Sequence, residues 1–146
     1  MSEYFRLDHE VAVVTGVLGK LGPIWTRTLL DAGARVMGID HPDQKPGEAF
    51  QALQKQYGPE QIGLARADVT KREELERACT HCQEIFGTAS ILVNNAGIDQ
   101  PPNPSGGGYR LEDIPLEINR RVLEVNTLGL FLVSQIFGAA MVKAGC

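Results

Sequence analysis

Three glycines stand at intervals of three in the stretch TGVLGKLG, at Gly16, Gly19 and Gly22. Each costs a helix or strand interior about 0.5–1 kcal/mol relative to alanine, so the cluster needs a local reason. One reason is a turn that lets a phosphate approach the backbone. Bare glycines clear the way to the free N–H groups and the positive dipole end of a following helix. The other reason is a plain strand-to-helix turn. The spacing G-x-x-G-x-x-G differs from the G-x-G-x-x-G of dinucleotide-binding loops. Lys20 within the loop raises a nucleoside-triphosphate alternative. Val14 and Leu21 exclude it, because they stand where that motif needs a glycine and a hydroxyl residue.

Further candidates follow along the chain. Asp40 closes the apolar segment ARVMGID, roughly 20 residues past the glycines. A carboxylate there can hydrogen-bond a ribose 2′-hydroxyl and repels a 2′-phosphate, which favours NAD over NADP. Lys20 pulls the other way, since an ammonium can meet a phosphate. A strand-ending turn residue is the plainer reading of Asp40. The run NNAG at 94–97 lets a ligand lie against small side chains, or is a simple turn. Cys79 and Cys82 in CTHC have redox or metal spacing. Zinc needs about four ligands, and both cysteines fall on the apolar side of a helical pattern, so core packing is expected. His9 and His41 join no constellation; His41, as the neighbour of Asp40, could touch an adenosine ribose, but a solvated loop is the plainer reading.

The elements that must position these residues follow from periodicity. Residues 11–16, VAVVTG, form a continuous apolar run suited to a strand buried on both faces. Leu21, Ile24, Trp25, Thr28, Leu29 and Ala32 recur at helical spacing as an expected buried face, with Pro23 in the first turn and Gly33 as the stop. Strands are expected at 34–40, 61–69 and 90–97, and helices at 47–58 and 71–86. The second of these helices carries Leu75, Ala78, Cys79, Cys82 and Ile85 on one face. A loop with PPNPSGGG fills 98–115, and 116–144 is helical up to Gly145. Strands alternating with helices make βαβ units, hence an α/β, doubly wound parallel sheet covered on both faces.

The 146 residues suit a single domain with one sizeable core. A net charge of −4 without a basic cluster argues against nucleic acid and anionic membrane as partners. The start MSEYFRLDHE has no apolar core of a signal peptide. The apolar run 128–142 is shorter than the roughly 20 residues of a bilayer span. Three cysteines argue against a disulfide framework. A cytoplasmic protein is expected.

Taken together, TG with its glycines, Asp40, ADV (67–69), NNAG and EVNTLGLFLVSQ (124–135) resemble, in order and spacing, the short-chain dehydrogenase/reductase family from about residue 11 to 146. The resemblance implies the first half of a Rossmann-type sheet, with strand order 3-2-1-4. It implies hydride transfer between NAD and a small-molecule substrate, a secondary alcohol or ketone. By resemblance the loop of Gly16, Leu18, Gly19, Lys20, Leu21 and Gly22 cradles the diphosphate. Asp40 holds the adenosine ribose, Asp68 and Val69 contact the adenine, and Asn95, Ala96 and Gly97 line the nicotinamide-side ribose. Asn126 matches the helix asparagine that kinks its helix and holds a water in the proton relay. Lys20 departs from the pattern, standing where the common branch has its second glycine. The glycine spacing resembles the extended branch of nucleotide-sugar epimerases and dehydratases, while NNAG and Asn126 resemble the common branch.

The family's Tyr-x-x-x-Lys pair does not occur. Tyr4, Tyr57 and Tyr109 are followed four residues on by Asp8, Gln61 and Asp113. Ser134 precedes the family's serine position. Residues 1–146 are therefore expected to be one dinucleotide-binding domain, part of a longer enzyme and inactive alone, with a non-catalytic dinucleotide-binding or assembly module as the alternative. The strand at 91–94 is expected as an unprotected edge. The helix 116–144 is apolar on more than one stripe, so a homo-oligomer is expected through it.

Overall fold

The computed structural model describes residues 5–99 and 106–146. Tyr4 and residues 101–105 of the proline- and glycine-rich loop lie outside them. The elements are β1 (Val11–Thr15), α1 (Gly22–Asp31), β2 (Arg35–Asp40), α2 (Glu48–Tyr57), β3 (Ile62–Arg66), α3 (Arg72–Ile85), β4 (Ile91–Val93), α4 (Leu116–Leu123) and α5 (Leu130–Ala144). The strands form one parallel sheet, as the alternation of elements implied, in the order β3-β2-β1-β4 that the family resemblance implied. All of β1 is buried, which explains its unbroken apolar sequence. Its residues alternate between two cores. Val11 and Val13 join Met37, Ile39, Leu75, Cys82 and Phe137 on one face. Ala12 and Val14 join Val36, Leu29, Phe50 and Leu53 on the other.

Helix α1 is rotated from the expected face. Ile24, Trp25 and Thr28 are exposed, and Gly22, Thr26, Leu29 and Leu30 are buried. The reason is the close approach at its start. A Cβ on Gly22 would lie 2.3 Å from the Val17 carbonyl oxygen, so the bare face of the helix must turn inward. In α3 the expected Ile85 also points out, and Phe86, just past the helix end, is buried instead.

The third and fourth strands are shorter than expected. The chain leaves the ladder after Arg66, the last residue facing β2. It leaves β4 after Val93, where the Asn95 N–H turns back to the Val93 carbonyl. Strand β4 has one neighbour, β1, and its other edge is unpaired among the described residues. Among the described residues, the expected loop at 98–115 contains a 3-10 turn at Leu111–Asp113.

Helices α4 and α5 are joined by a π-helical turn, Glu124–Gly129, into one continuous helix. That helix, Leu116–Ala144, has 29 residues and is long and apolar enough to cross a membrane by length and composition. This is longer than its apolar run suggested. One side packs onto the sheet and α3 through Val133 and Phe137. Leu123, Leu128, Phe131 and Val142 remain exposed.

Candidate functional site

A cleft of about 750 Å³ opens where the four strands end. Gly16 follows β1, Asp40 ends β2, Asp68 follows β3 and Asn95 follows β4, and all four residues line it. In a sheet of order 3-2-1-4 the connections leave β1 and β4 on opposite faces. That switch point is where open parallel sheets hold ligands.

The turn after β1 and the turn after β4 are stitched together. Thr15 Oγ1 accepts from the N–H groups of Asn95 (3.1 Å) and Ala96 (3.0 Å). Asn95 Nδ2 donates to the carbonyls of Thr15 and Gly16, each at 3.0 Å. Gly16 has φ +63°, and a Cβ there would lie 2.8 Å from Ala96 Cα. Gly16 and Gly22 therefore answer to packing within the loop. Gly19 is different: an added Cβ would meet only the Gly16 carbonyl oxygen, at 3.2 Å, and the residue lines the cleft. Among the described residues no acceptor takes the N–H groups of Lys20, Leu21 or Gly22, and α1 has no side-chain cap. Lys20 and Leu21 line the cleft. Leu18 and Gly22 do not form its wall.

Asp40 is buried, at 9% exposure. Its Oδ2 accepts the Leu18 N–H at 2.7 Å and its Oδ1 the His41 N–H at 2.8 Å. An ionised carboxylate has about four lone-pair sites, so the group retains acceptor capacity toward the cleft. Asp68 Oδ1 accepts from the Thr70 N–H (2.9 Å) and hydroxyl (2.7 Å). Its Oδ2 lies 3.8 Å from both His41 Nε2 and the Arg121 guanidinium. Burial alone would raise the Asp68 carboxyl. The Thr70 hydrogen bonds, with Arg121 and His41, outweigh it and hold the group below the usual carboxylate range.

Asn126 sits in the π-helical turn, outside the cleft wall. Its Oδ1 accepts the Ile98 N–H at 2.8 Å and its Nδ2 donates to the Ile98 carbonyl at 2.9 Å. The side chain thus pairs with backbone as a strand would. The turn is the helix irregularity expected at this residue, and such single π turns recur at functional sites. At its far end a Cβ on Gly129 would lie 2.8 Å from Val69 Cγ2, so glycine lets the helix settle onto the β3–α3 turn.

Sequence reasoning missed part of the wall. His41 lines the cleft beside Asp68, nearer the ribose-contact alternative than the solvated loop that was the plainer reading. Gln44 lines it too, with its carbonyl accepting from Arg66 at 2.6 Å. Arg121 and Val125 reach it from the long helix. The signal for Val125 was adjacency to Asn126; Arg121 lay in a charged stretch that reads as solvated surface. Cys79 and Cys82 are buried in the core as expected, and burial raises both thiols, Cys82 to about 12. Among the described residues no group of three or more His, Cys, Asp or Glu could hold a metal ion.

A parallel sheet with a glycine turn after its first strand, a carboxylate ending its second and a switch-point cleft defines a Rossmann-type α/β protein. The chain belongs to the short-chain dehydrogenase family, whose sequence profile, described as short chain dehydrogenase, matches residues 10–145. It is 34% identical over 139 residues to a galactitol 2-dehydrogenase of Rhizobium johnstonii, covering 95% of this chain and 51% of that protein. It is 31% identical over 144 residues to the 7alpha-hydroxysteroid dehydrogenase of Escherichia coli, covering 99% and 52%. It is 28% identical over 141 residues to an NAD-dependent glycerol dehydrogenase of Listeria innocua, covering 97% and 51%. The chain spans about half the length of the curated relatives it matches. A crystal structure of a short-chain type dehydrogenase/reductase from Mycobacterium marinum superposes with a TM-score of 0.80 at 26% identity, covering 99% of this chain and 56% of that one.

Proposed function

We propose that this chain is the NAD-binding half of a short-chain oxidoreductase acting between a secondary alcohol and a ketone. The carrying observation is the cleft itself: unpaired N–H groups at the start of α1, the Asp40 carboxylate and the small NNAG turn line or adjoin one 750 Å³ space. That volume falls within the range of small-molecule sites. The N–H groups of Lys20, Leu21 and Gly22 would hold a diphosphate, with the Lys20 ammonium beside them. Asp40 would accept from a ribose hydroxyl, and its buried negative charge disfavours a 2′-phosphate, so NAD is preferred over NADP. Asp68 and Val69 would meet the adenine, and Asn95, Ala96 and Gly97 the second ribose. When bound, the nicotinamide supplies the hydride donor or acceptor. Asn126 shapes the wall by holding Ile98.

The Tyr-x-x-x-Lys pair is not among these 146 residues, which supports a chain that binds cofactor without turnover. The second reading is a non-catalytic dinucleotide-binding module. A cytoplasmic location belongs to the proposal, as does self-association through the exposed apolar flank of Leu116–Ala144. The test is fluorescence titration with NADH and NADPH, against Asp40→Ala, with far-UV circular dichroism on each sample. Saturable NADH binding that weakens in the variant supports the reading. A folded chain that binds neither dinucleotide, or binds NADPH more tightly, overturns it.

A further inference from the structure

We propose that Arg121 is a positioning residue that aims the Asp68 carboxylate at the exocyclic amine of an adenine, so that α4 sets base preference at the adenosine end of the cleft. The proposal rests on the dinucleotide reading above and adds to it a residue on a separate element.

The two oxygens of Asp68 are used differently. Oδ1 takes both Thr70 donors, the N–H and the hydroxyl. Oδ2 has two neighbours at 3.8 Å, His41 Nε2 and the Arg121 guanidinium, both beyond hydrogen-bond distance. The Asp68 side chain is only 13% exposed and lines the cleft. Oδ2 is therefore a charged acceptor with little access to bulk water and with capacity for a donor that arrives through the cleft. Adenine presents an amine at its six position, which donates. Hypoxanthine presents a carbonyl there, which accepts and would face a carboxylate of like polarity.

Arg121 is placed to fix where Oδ2 points. One guanidinium nitrogen is held by Glu124 Oε2 at 3.0 Å, one turn along the same helix, and the other faces Asp68. The planar fork is thus tied down before it meets the carboxylate. Arg121 also lines a second cavity of about 370 Å³ with Ile118 and Val122. His41 faces Oδ2 from the end of β2. With Arg121 removed, Oδ2 loses the guanidinium that faces it from α4, and with it the attraction that holds that oxygen on the α4 side of the cleft.

The experiment compares NADH with its hypoxanthine analogue on the wild-type chain, Arg121→Met, Arg121→Lys and Asp68→Asn, with circular dichroism to verify folding. Wild type is expected to favour NADH by about tenfold, the scale of one hydrogen bond to a charged group. Arg121→Met should lose about tenfold on NADH and stay within about twofold on the analogue. Arg121→Lys, which retains the charge but not the fork tied to Glu124, should keep part of the preference, and Asp68→Asn should abolish it. Equal weakening of both dinucleotides by Arg121→Met, or no change in either, overturns the proposal. Loss of preference in Arg121→Lys as complete as in Arg121→Met would overturn the charge-based account. If folded wild type binds neither dinucleotide, the dinucleotide reading itself fails.

Discussion

The backbone N–H of Leu18 donates to Asp40 Oδ2 at 2.7 Å, across 22 residues of sequence. The carboxylate proposed to read the ribose therefore also fastens the glycine turn to the end of β2. Asp40→Ala removes both functions. It leaves a partly buried N–H without its acceptor, and is expected to lower stability by about 1–3 kcal/mol along with NADH affinity. Asp40→Asn keeps one acceptor oxygen for the two N–H groups of Leu18 and His41, so it should lose less stability than Asp40→Ala while still losing affinity. Urea denaturation read beside the NADH titration separates the two; an Asp40→Ala chain as stable as wild type would refute the fastening role.

Gly16 and Gly19 are expected to respond oppositely to the same substitution. Gly16→Ala places a side chain at φ +63° and 2.8 Å from Ala96 Cα, a strain of about 1–3 kcal/mol. Its melting temperature should fall. Gly19→Ala meets one carbonyl oxygen at 3.2 Å and should cost under about 1 kcal/mol, yet it should weaken NADH because the methyl stands in the cleft wall. Equal melting temperatures for the two variants would contradict this division.

How far these residues were readable beforehand depends on what each reading needed. The parallel sheet was legible because β1 to β4 are short apolar runs with turn residues at their ends; the strand order and the convergence of Gly16, Asp40, Asp68 and Asn95 were legible only through the family resemblance. The face of α1 was not. Two apolar stripes overlap in it, and the choice between them lies in the contact of Gly22 with Val17, which no periodicity contains. Arg121 was illegible for a related reason. Its sequence neighbours Asn119, Arg120 and Glu124 make it look like solvated helix surface, and its partner Asp68 becomes its neighbour only through the fold.

Asn126→Ala should remove both hydrogen bonds to Ile98. Because the asparagine is exposed, the expected loss is about 1 kcal/mol. Amide exchange at Ile98 should rise while that at Val13 in the buried strand β1 stays slow. Unchanged protection at Ile98 would show that the π-helical turn does not hold this segment.

Acid should act partly through Asp68. Its carboxyl is held below the usual range, so the unfolded chain takes up the proton first as pH falls. The stabilisation is fully present above the unfolded value of about 3.9 and disappears as pH drops through the lower folded value. Unfolding free energies measured from pH 6 downward should fall more steeply for wild type than for Asp68→Asn below about pH 4. Parallel acid limbs would contradict this.

Thiol chemistry gives a readout independent of any ligand. Cys146 is exposed, while Cys79 and Cys82 are buried and hold their protons, Cys82 up to about 12. At pH 8 the folded chain should show one fast-reacting thiol, and the chain in guanidinium all three. Fast modification of a second thiol in the native state would mean that the α3 helix opens readily.

The placing of β4 beside β1 bears on how the chain reaches this structure. Leu18 finds Asp40 over 22 residues, whereas Asn95 finds Thr15 over 80. Closing the longer span carries the larger entropic cost, and pairings of distant segments form slowly. The β1-β2-β3 unit with α1 and α2 therefore assembles first. The Thr15–Asn95 stitch, and with it the finished cleft, forms in the last step, when β4 and the long helix dock. By this loop-closure argument, the turn that completes the site is expected to be the part the chain acquires last.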